Sequence, residues 1–251
     1  MNGNWKRAVT DEEISRIAQN IDRDGYDVIE DYLSSEEMAP LREFAETKVR
    51  EAGGEYVALV GPAEVSETLL SELPQFSEFS NLCQRLCKAQ TKGGLPKGEF
   101  YQVLRCIQGT TGKDHCNRFH YDSYVVSAII PVSIPDVGMR GDLMLLPNTR
   151  KIRKSYFVNV FDKFLIDNAF SQWALRTAVR LGLPGFARIH MRPGNLYLFC
   201  GYRSIHANEG CDPDKLRATA VFHYGDPHKS SGARQAVRDL RAKFGSGVPS
   251  Y

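Results

Sequence analysis

The sequence contains no apolar run approaching the roughly 18–20 residues that span a bilayer. Its first residues, MNGNWKRAVTDEE, hold no apolar core, so no secretory signal is expected. There is little excess of charge: the net is +2, which excludes a strong general pull toward nucleic acid or an anionic membrane. The densest basic patch, Arg150, Lys151, Arg153 and Lys154, is expected on a solvated loop. The six cysteines (Cys83, Cys87, Cys106, Cys116, Cys200 and Cys211) include no CxxC pair. A chain of this size needs no disulfide framework, so reduced thiols in a cytoplasm are expected. Cys83 and Cys87, four apart, fit one face of a helix and are expected to pack there rather than bind metal. There is no internal repeat and no low-complexity linker. What is present is an ordinary globular composition of 251 residues, 42% hydrophobic and 25% charged, enough for a sizeable core. The whole of 1–251 is expected to form one domain.

The first 95 residues read mainly as helix. Thr10 and Glu13 in TDEEISRIAQNI have the spacing of a capping box. GYDVIEDYL reads as a short strand, and SSEEMAPLREFAETKVREAGG as a helix stopped by Gly-Gly, with Pro40 tolerable only near the first turn. In PQFSEFSNLCQRLCKAQ, Phe76, Phe79, Cys83 and Leu86 form a core-facing stripe. Over 96–228 the pattern changes to short strands rich in aromatic and β-branched residues: EFYQVLRCIQG, YVVSAIIPVSI, GDLMLLPN, ARIHM, GNLYLFCG and LRATAVFHYG. One helical insert, about 155–182, interrupts them, with Phe157, Phe161, Phe164 and Leu165 at helical spacing; it is expected to pack, with a lid as the alternative. Residues 229–251 read as a C-terminal helix or tail. The fold class expected is mainly β with flanking helices, a sandwich or jelly roll behind an N-terminal helical layer.

The stretch FHYDSYVVSAIIPV carries the chemistry. In a strand, residues two apart share a face, so His120 and Asp122 are expected to project together, followed by Tyr124, Val126, Ala128 and Ile130. A carboxylate buried there without a partner would be costly, and a metal ion removes that cost. A 2-His-1-carboxylate triad needs one more imidazole. His206, in RPGNLYLFCGYRSIHANEG after a turn and a buried strand, is the best candidate. In LRATAVFHYG, Arg217, Thr219, Val221 and His223 share a face, and an Arg directed into a sheet interior requires an anion. Its planar fork suits a carboxylate. His223 is expected to be a packed imidazole, with a supporting place near the site as the alternative. His115, His190 and His228 lack metal-ligand spacing.

His120–Tyr121–Asp122, the distant His206 and Arg217 eleven residues beyond it resemble the Fe(II)/2-oxoglutarate-dependent dioxygenase superfamily. DGYDVIEDYLSSEEMAPLR and PGNLYLFCGYRSIHA resemble its phytanoyl-CoA hydroxylase-like members. The resemblance covers most of the chain, with 145–190 the least familiar part. It implies a double-stranded β-helix with Fe(II) at its mouth, held by His120, Asp122 and His206. It further implies 2-oxoglutarate as co-substrate, its far carboxylate on Arg217 and Thr219, and O2 as oxidant. Succinate and CO2 would be released and a hydrogen atom taken from the substrate. Halogenating relatives lack the carboxylate ligand; Asp122 is present, so hydroxylation, desaturation or ring formation is implied instead.

Substrate contacts are open. Tyr101, Val103 and Arg105 share one face of EFYQVLRCIQG. If that face looks inward, Arg105 would hold a substrate carboxylate and Tyr101 would touch 2-oxoglutarate; if outward, both are surface residues. Asn117 and Arg118, in the loop before the triad, and Asn208 after His206 are further candidates. The expected substrate is a small molecule, a free amino acid or natural-product intermediate, with no nucleic-acid or membrane partner. The rivals are a dioxygenase modifying nucleic acid or protein, and a non-catalytic jelly-roll binding protein or sensor.

Overall fold

The computed structural model describes residues 4–94 and 98–232. Most of the expected tail, from 233 onward, therefore lies outside the described residues. Helix α1 (Asp11–Asp24) begins at the anticipated capping box: the Thr10 side chain accepts from the Glu13 amide, and the Glu13 carboxylate accepts from the Thr10 amide. Its Ile14, Ile17 and Ile21 are buried, and it ends at Gly25. β1 (Tyr26–Ile29) is shorter than GYDVIEDYL suggested, because the chain turns after Ile29 toward a second capping box, Ser34 with Glu37. That box opens α2 (Ser35–Glu51), in which Pro40 stands beyond the first turn. Pro40 is exposed, and it has no N–H to donate to the carbonyl one turn back. β2 (Val57–Val60), the short α3 (Leu69–Glu72) and α4 (Ser77–Gln90) complete this part. Phe79, Cys83 and Leu86 are fully buried on α4, with Phe76 partly buried beside them.

The remaining strands are β3 (Tyr101–Ile107), β4 (Val126–Ser133), β5 (Leu143–Leu146), β6 (Ala187–Ile189), β7 (Leu196–Phe199), β8 (Ile205–Asn208) and β9 (Arg217–Tyr224). They form a major sheet in the order β1-β7-β4-β9-β3-β2 and a minor sheet in the order β6-β5-β8, paired antiparallel throughout. The outer face of the major sheet (Leu104, Ala128, Ile130, Leu198, Ala220, Phe222) meets α1, α2 and α4 in the largest core. Its inner face (Val103, Ile129, Phe199, Val221) meets Leu143 and Leu145 of the minor sheet. The jelly-roll arrangement expected from the strand pattern is thus present, with helices outside.

The insert is two helices, not one: α5 (Tyr156–Asp167) and α6 (Ala169–Arg180). Asn168 separates them because its backbone is extended and its side chain accepts from the Ser171 amide, starting a new helix. Part of α6 covers the outer face of the minor sheet through Leu175 and Val179. The expectation that the insert packs is met only in part, since Phe157, Phe161, Phe164 and Leu165 are all exposed. All six cysteines are buried and free.

Candidate metal centre

The face assignment around FHYDS needs correction. β4 starts only at Val126, and His120 and Asp122 lie in the irregular segment before it. His120 is held by a reciprocal backbone pair with His206, and the Asp122 amide donates to the Gly201 carbonyl at 3.0 Å. The segment between Asp122 and Val126 loses the two-residue phase. Val126, Ala128 and Ile130 therefore point to the helical core, while Ser127 and Ile129 point to the side of Asp122.

The three expected ligands nevertheless converge, with one donor atom from each of His120, Asp122 and His206 lying within 4.8 Å of the others. The Nε2 atoms of His120 and His206 stand 3.6 and 3.4 Å from Asp122 Oδ1. His120 Nδ1 lies 3.0 Å from the Arg118 carbonyl and His206 Nδ1 3.1 Å from the Ser204 carbonyl. A carbonyl can only accept, so each Nδ1 carries the hydrogen and each Nε2 offers its lone pair to the same point as the carboxylate. Two imidazole nitrogens and one carboxylate oxygen form a donor set that suits a divalent transition metal and leaves positions open.

Electrostatics agree with that reading. Burial opposes charge on Asp122, but His206, His223 and His120 around it hold its carboxyl well below the usual carboxylate range. Burial also opposes charge on His206, and Asp122 outweighs it and moves the imidazole up; His120 is moved down by burial and by His206. The result is a fixed carboxylate with two imidazoles, one of them readily stripped of its proton.

Two residues of this centre, Ser127 and Gly201, were not anticipated, and a third, His223, was expected there only as the alternative. Ser127 donates a short hydrogen bond to Asp122 Oδ2, leaving Oδ1 for the metal position. His223 lies beside it, Nδ1 3.2 Å from Ser127 Oγ and 3.6 Å from Asp122 Oδ2, so the supporting alternative describes it better than a remote packed imidazole. Gly201 is required by closeness: a Cβ there would sit 1.9 Å from Asp122 Oδ2. Ser127 left a readable trace, being the polar residue inside an otherwise apolar VVSAII.

Arg217 is 1% exposed. Its Nε donates to the Gly141 carbonyl at 2.7 Å, one terminal nitrogen to Asn208 Oδ1 at 2.9 Å, and the other to Thr219 Oγ1 at 3.4 Å. A Cβ on Gly141 would come within 2.4 Å of the Arg217 chain, so glycine admits this approach. No carboxylate among the described residues forms an ion pair with Arg217. Burial, and then neighbouring Arg105, push its pKa down to about 10. Such a guanidinium is poised for an anion. The Asn208 side chain, expected as a substrate contact, accepts from Arg217 in this structure.

The Tyr101–Val103–Arg105 face looks inward, since Val103 belongs to the core between the sheets. The two polar residues lie at different ends. Arg105 pairs across from Thr219, while Tyr101 pairs across from His223 and stacks on Tyr124 and His223. His223 and Arg217 are six residues apart on β9, roughly 20 Å along the strand. Tyr101 therefore stands at the metal end, away from the Arg217 guanidinium. Arg105 stands near that guanidinium, and its side chain donates a long hydrogen bond, 3.5 Å, to the His115 carbonyl. Asn117 has a left-handed backbone, φ 55, and its amide donates to the Asn208 carbonyl at 2.6 Å. Arg118 presents its carbonyl to His120 and pairs its side chain with Asp167 of α5. Clefts of about 550 and 720 Å³ occur elsewhere, and neither is lined by the triad.

Solved structures with this fold are similar over most of the chain. One is the epimerase SnoN in complex with Fe3+, alpha ketoglutarate and nogalamycin RO (16% identity, 86% of this chain and 85% of that one, TM-score 0.58). A second is the non-heme alpha ketoglutarate dependent carbocyclase SnoK from nogalamycin biosynthesis (17%, 88% and 86%, 0.55). A third is EctD from S. alaskensis with 2-oxoglutarate and 5-hydroxyectoine (16%, 90% and 82%, 0.55). No family model matches the sequence. No curated protein sequence matches it either. The chain shares the jelly-roll fold of these iron- and 2-oxoglutarate-dependent proteins.

Proposed function

We propose that this protein is an Fe(II)- and 2-oxoglutarate-dependent oxygenase that oxidises an unactivated C–H bond of a small molecule, with release of succinate and CO2. The observation that carries the reading is the pairing of two sites in one interior. A two-imidazole, one-carboxylate cluster and a buried guanidinium that pairs with no acid among the described residues face the same interior. His120, Asp122 and His206 would hold the iron. Arg217, with Thr219, would hold the far carboxylate of 2-oxoglutarate, and Arg105 adds positive charge at the same end. Bound iron, with 2-oxoglutarate and O2, supplies the oxidant that removes a hydrogen atom from the substrate.

The chain's own residues set the rest. The Arg118 and Ser204 carbonyls fix both imidazole tautomers, and Ser127 with His223 fixes the carboxylate. Tyr101 and Tyr124 form an aromatic wall beside His223 where a substrate would lie. Asn117 and Arg118 border the metal loop and are proposed to contact the substrate. The substrate class proposed is a free amino acid or natural-product intermediate, and structural neighbours solved with nogalamycin RO and with 5-hydroxyectoine support small size. Neighbours described as an epimerase and a carbocyclase support outcomes other than hydroxylation once hydrogen is removed. With Asp122 in the ligand position, halide has no place in the cluster. Residues 1–251 are proposed to act as one domain.

The test is succinate formation, measured by mass spectrometry, from Fe(II)-loaded protein, 2-oxoglutarate and air with a panel of amino acids. Succinate stimulated by one class of substrate, and lost in Asp122→Asn, is expected. Metal-loaded protein that binds 2-oxoglutarate and never yields succinate above the metal-free blank would contradict the reading.

A further inference from the structure

The helical hairpin is the molecule's conspicuous apolar surface. Phe157, Phe161, Phe164, Phe170 and Trp173 are all exposed, Phe170 by 74% and Trp173 by 62%. They follow helical spacing along α5 and α6, and the Phe170 and Trp173 rings are 6.0 Å apart. Large apolar side chains left exposed along two consecutive helices mark an interaction site.

Charge identifies the partner. Residues 150–180 hold seven Lys or Arg against two acids, Asp162 and Asp167, a net of +5 within a chain whose total is +2. Both acids are engaged: Asp162 by Arg150 and Arg153, Asp167 by Arg118. Lys151 and Lys154 before α5, and Arg176 and Arg180 on α6, are exposed around the aromatic surface. A second copy docked face to face would set +5 against +5. An anionic bilayer surface instead takes aromatic side chains into its interface and Lys and Arg against its headgroups. No described helix is long and apolar enough to cross a membrane, so the hairpin would lie on the surface.

We propose that α5 and α6 form a docking surface for anionic phospholipid membranes. The same hairpin grips the metal loop from its other side. Gln172 exchanges two hydrogen bonds with the Phe119 backbone, at 3.0 and 2.7 Å, and Lys163 donates to Ser123 Oγ at 2.7 Å. Docking would therefore hold the metal loop beside the bilayer, where an apolar or amphipathic compound enters readily. The docking itself does not rest on the oxygenase reading. The small net charge and missing span gave no reason to expect a membrane; the local clustering does.

The experiment uses the full chain and large vesicles of phosphatidylcholine, with and without phosphatidylglycerol, at low salt. Co-sedimentation with the anionic vesicles alone is expected, with a blue shift in tryptophan emission. Trp173 would report it, because the other tryptophan, Trp5, is already buried. A Phe161→Ser/Phe164→Ser double variant and a Lys151→Glu/Lys154→Glu double variant should each lower partitioning about tenfold or more. These positions are exposed, so the thermal unfolding of both variants should match the parent. Absence of binding to anionic vesicles, or binding unaffected by either variant, would overturn the proposal. Dimers that dissociate in the Phe161→Ser/Phe164→Ser variant, without vesicle binding, would reassign the surface to a second copy.

Discussion

Asp122 depends on atoms that are not metal ligands. Ser127 and His223 occupy the side of Oδ2, and Gly201 leaves the space for it. Loss of such supporting partners typically weakens a metal site 10–100-fold. Ser127→Ala is expected to lower Mn(II) affinity by about tenfold or more, measured by calorimetry, with an unchanged circular dichroism spectrum. Gly201→Ala should be more severe, because a methyl group cannot share the position of Oδ2. At Arg217, replacement by Lys keeps a charge and loses the fork. It should weaken 2-oxoglutarate binding by about 2 kcal/mol or more while leaving metal affinity nearly unchanged. The ligand types were legible from the residues alone: HxD, a distant His, and an Arg on an apolar strand face. The supporting residues were legible only in traces, a polar Ser127 within VVSAII and His223 on the Arg217 face, because they and Gly201 act through contacts that chain folding creates.

Among the elements, α1 shows what local sequence can specify. Its capping box, its Ile14–Ile17–Ile21 stripe and its Gly25 end are all local features, and all appear. Thr10→Ala should cost roughly 1 kcal/mol in urea denaturation. The side chain of Arg7 and then the Thr10 amide hold the Glu13 carboxyl down at about 2. A depressed carboxyl stabilises above its ordinary value and loses that contribution as pH falls toward the folded one. The stability difference between the parent and Glu13→Gln should therefore be present at neutral pH and fade between pH 4.5 and about 2. β4 shows the opposite case. Its alternation is legible, but its phase relative to Asp122 is not, because the irregular turn at 123–125 breaks the period before the strand begins. The split of the insert was likewise hidden: one Asn side chain stops α5 and starts α6, within a sequence apolar enough to read as continuous helix.

For the whole molecule, the strand and helix content pointed to the jelly roll, while the sheet order did not follow from it. Pairings such as β1 with β7 join residues far apart in sequence, and they form through burial on both faces of the major sheet. This order brings Asp122, His206 and Arg217 into one interior from separate parts of the chain. The basic patch at 150–154 was legible and read as a solvated loop; it took another meaning when the aromatic side chains beside it proved exposed. A ligand that binds the folded chain alone stabilises it, by about 2.7 kcal/mol at a hundredfold excess over its dissociation constant. Metal and 2-oxoglutarate together should accordingly raise the melting temperature by more than metal alone, and Arg217→Lys should remove only the second increment.

The most direct test of the central claim is an anaerobic titration of metal-free protein with Fe(II) and then 2-oxoglutarate, followed by visible absorption. A weak charge-transfer band that neither component gives alone should appear. It should be absent in His206→Ala, and in Arg217→Lys it should require more 2-oxoglutarate. Iron binding without any band would leave a metal site and contradict the oxygenase reading. Failure to bind iron at all would make His120, Asp122 and His206 a structural cluster.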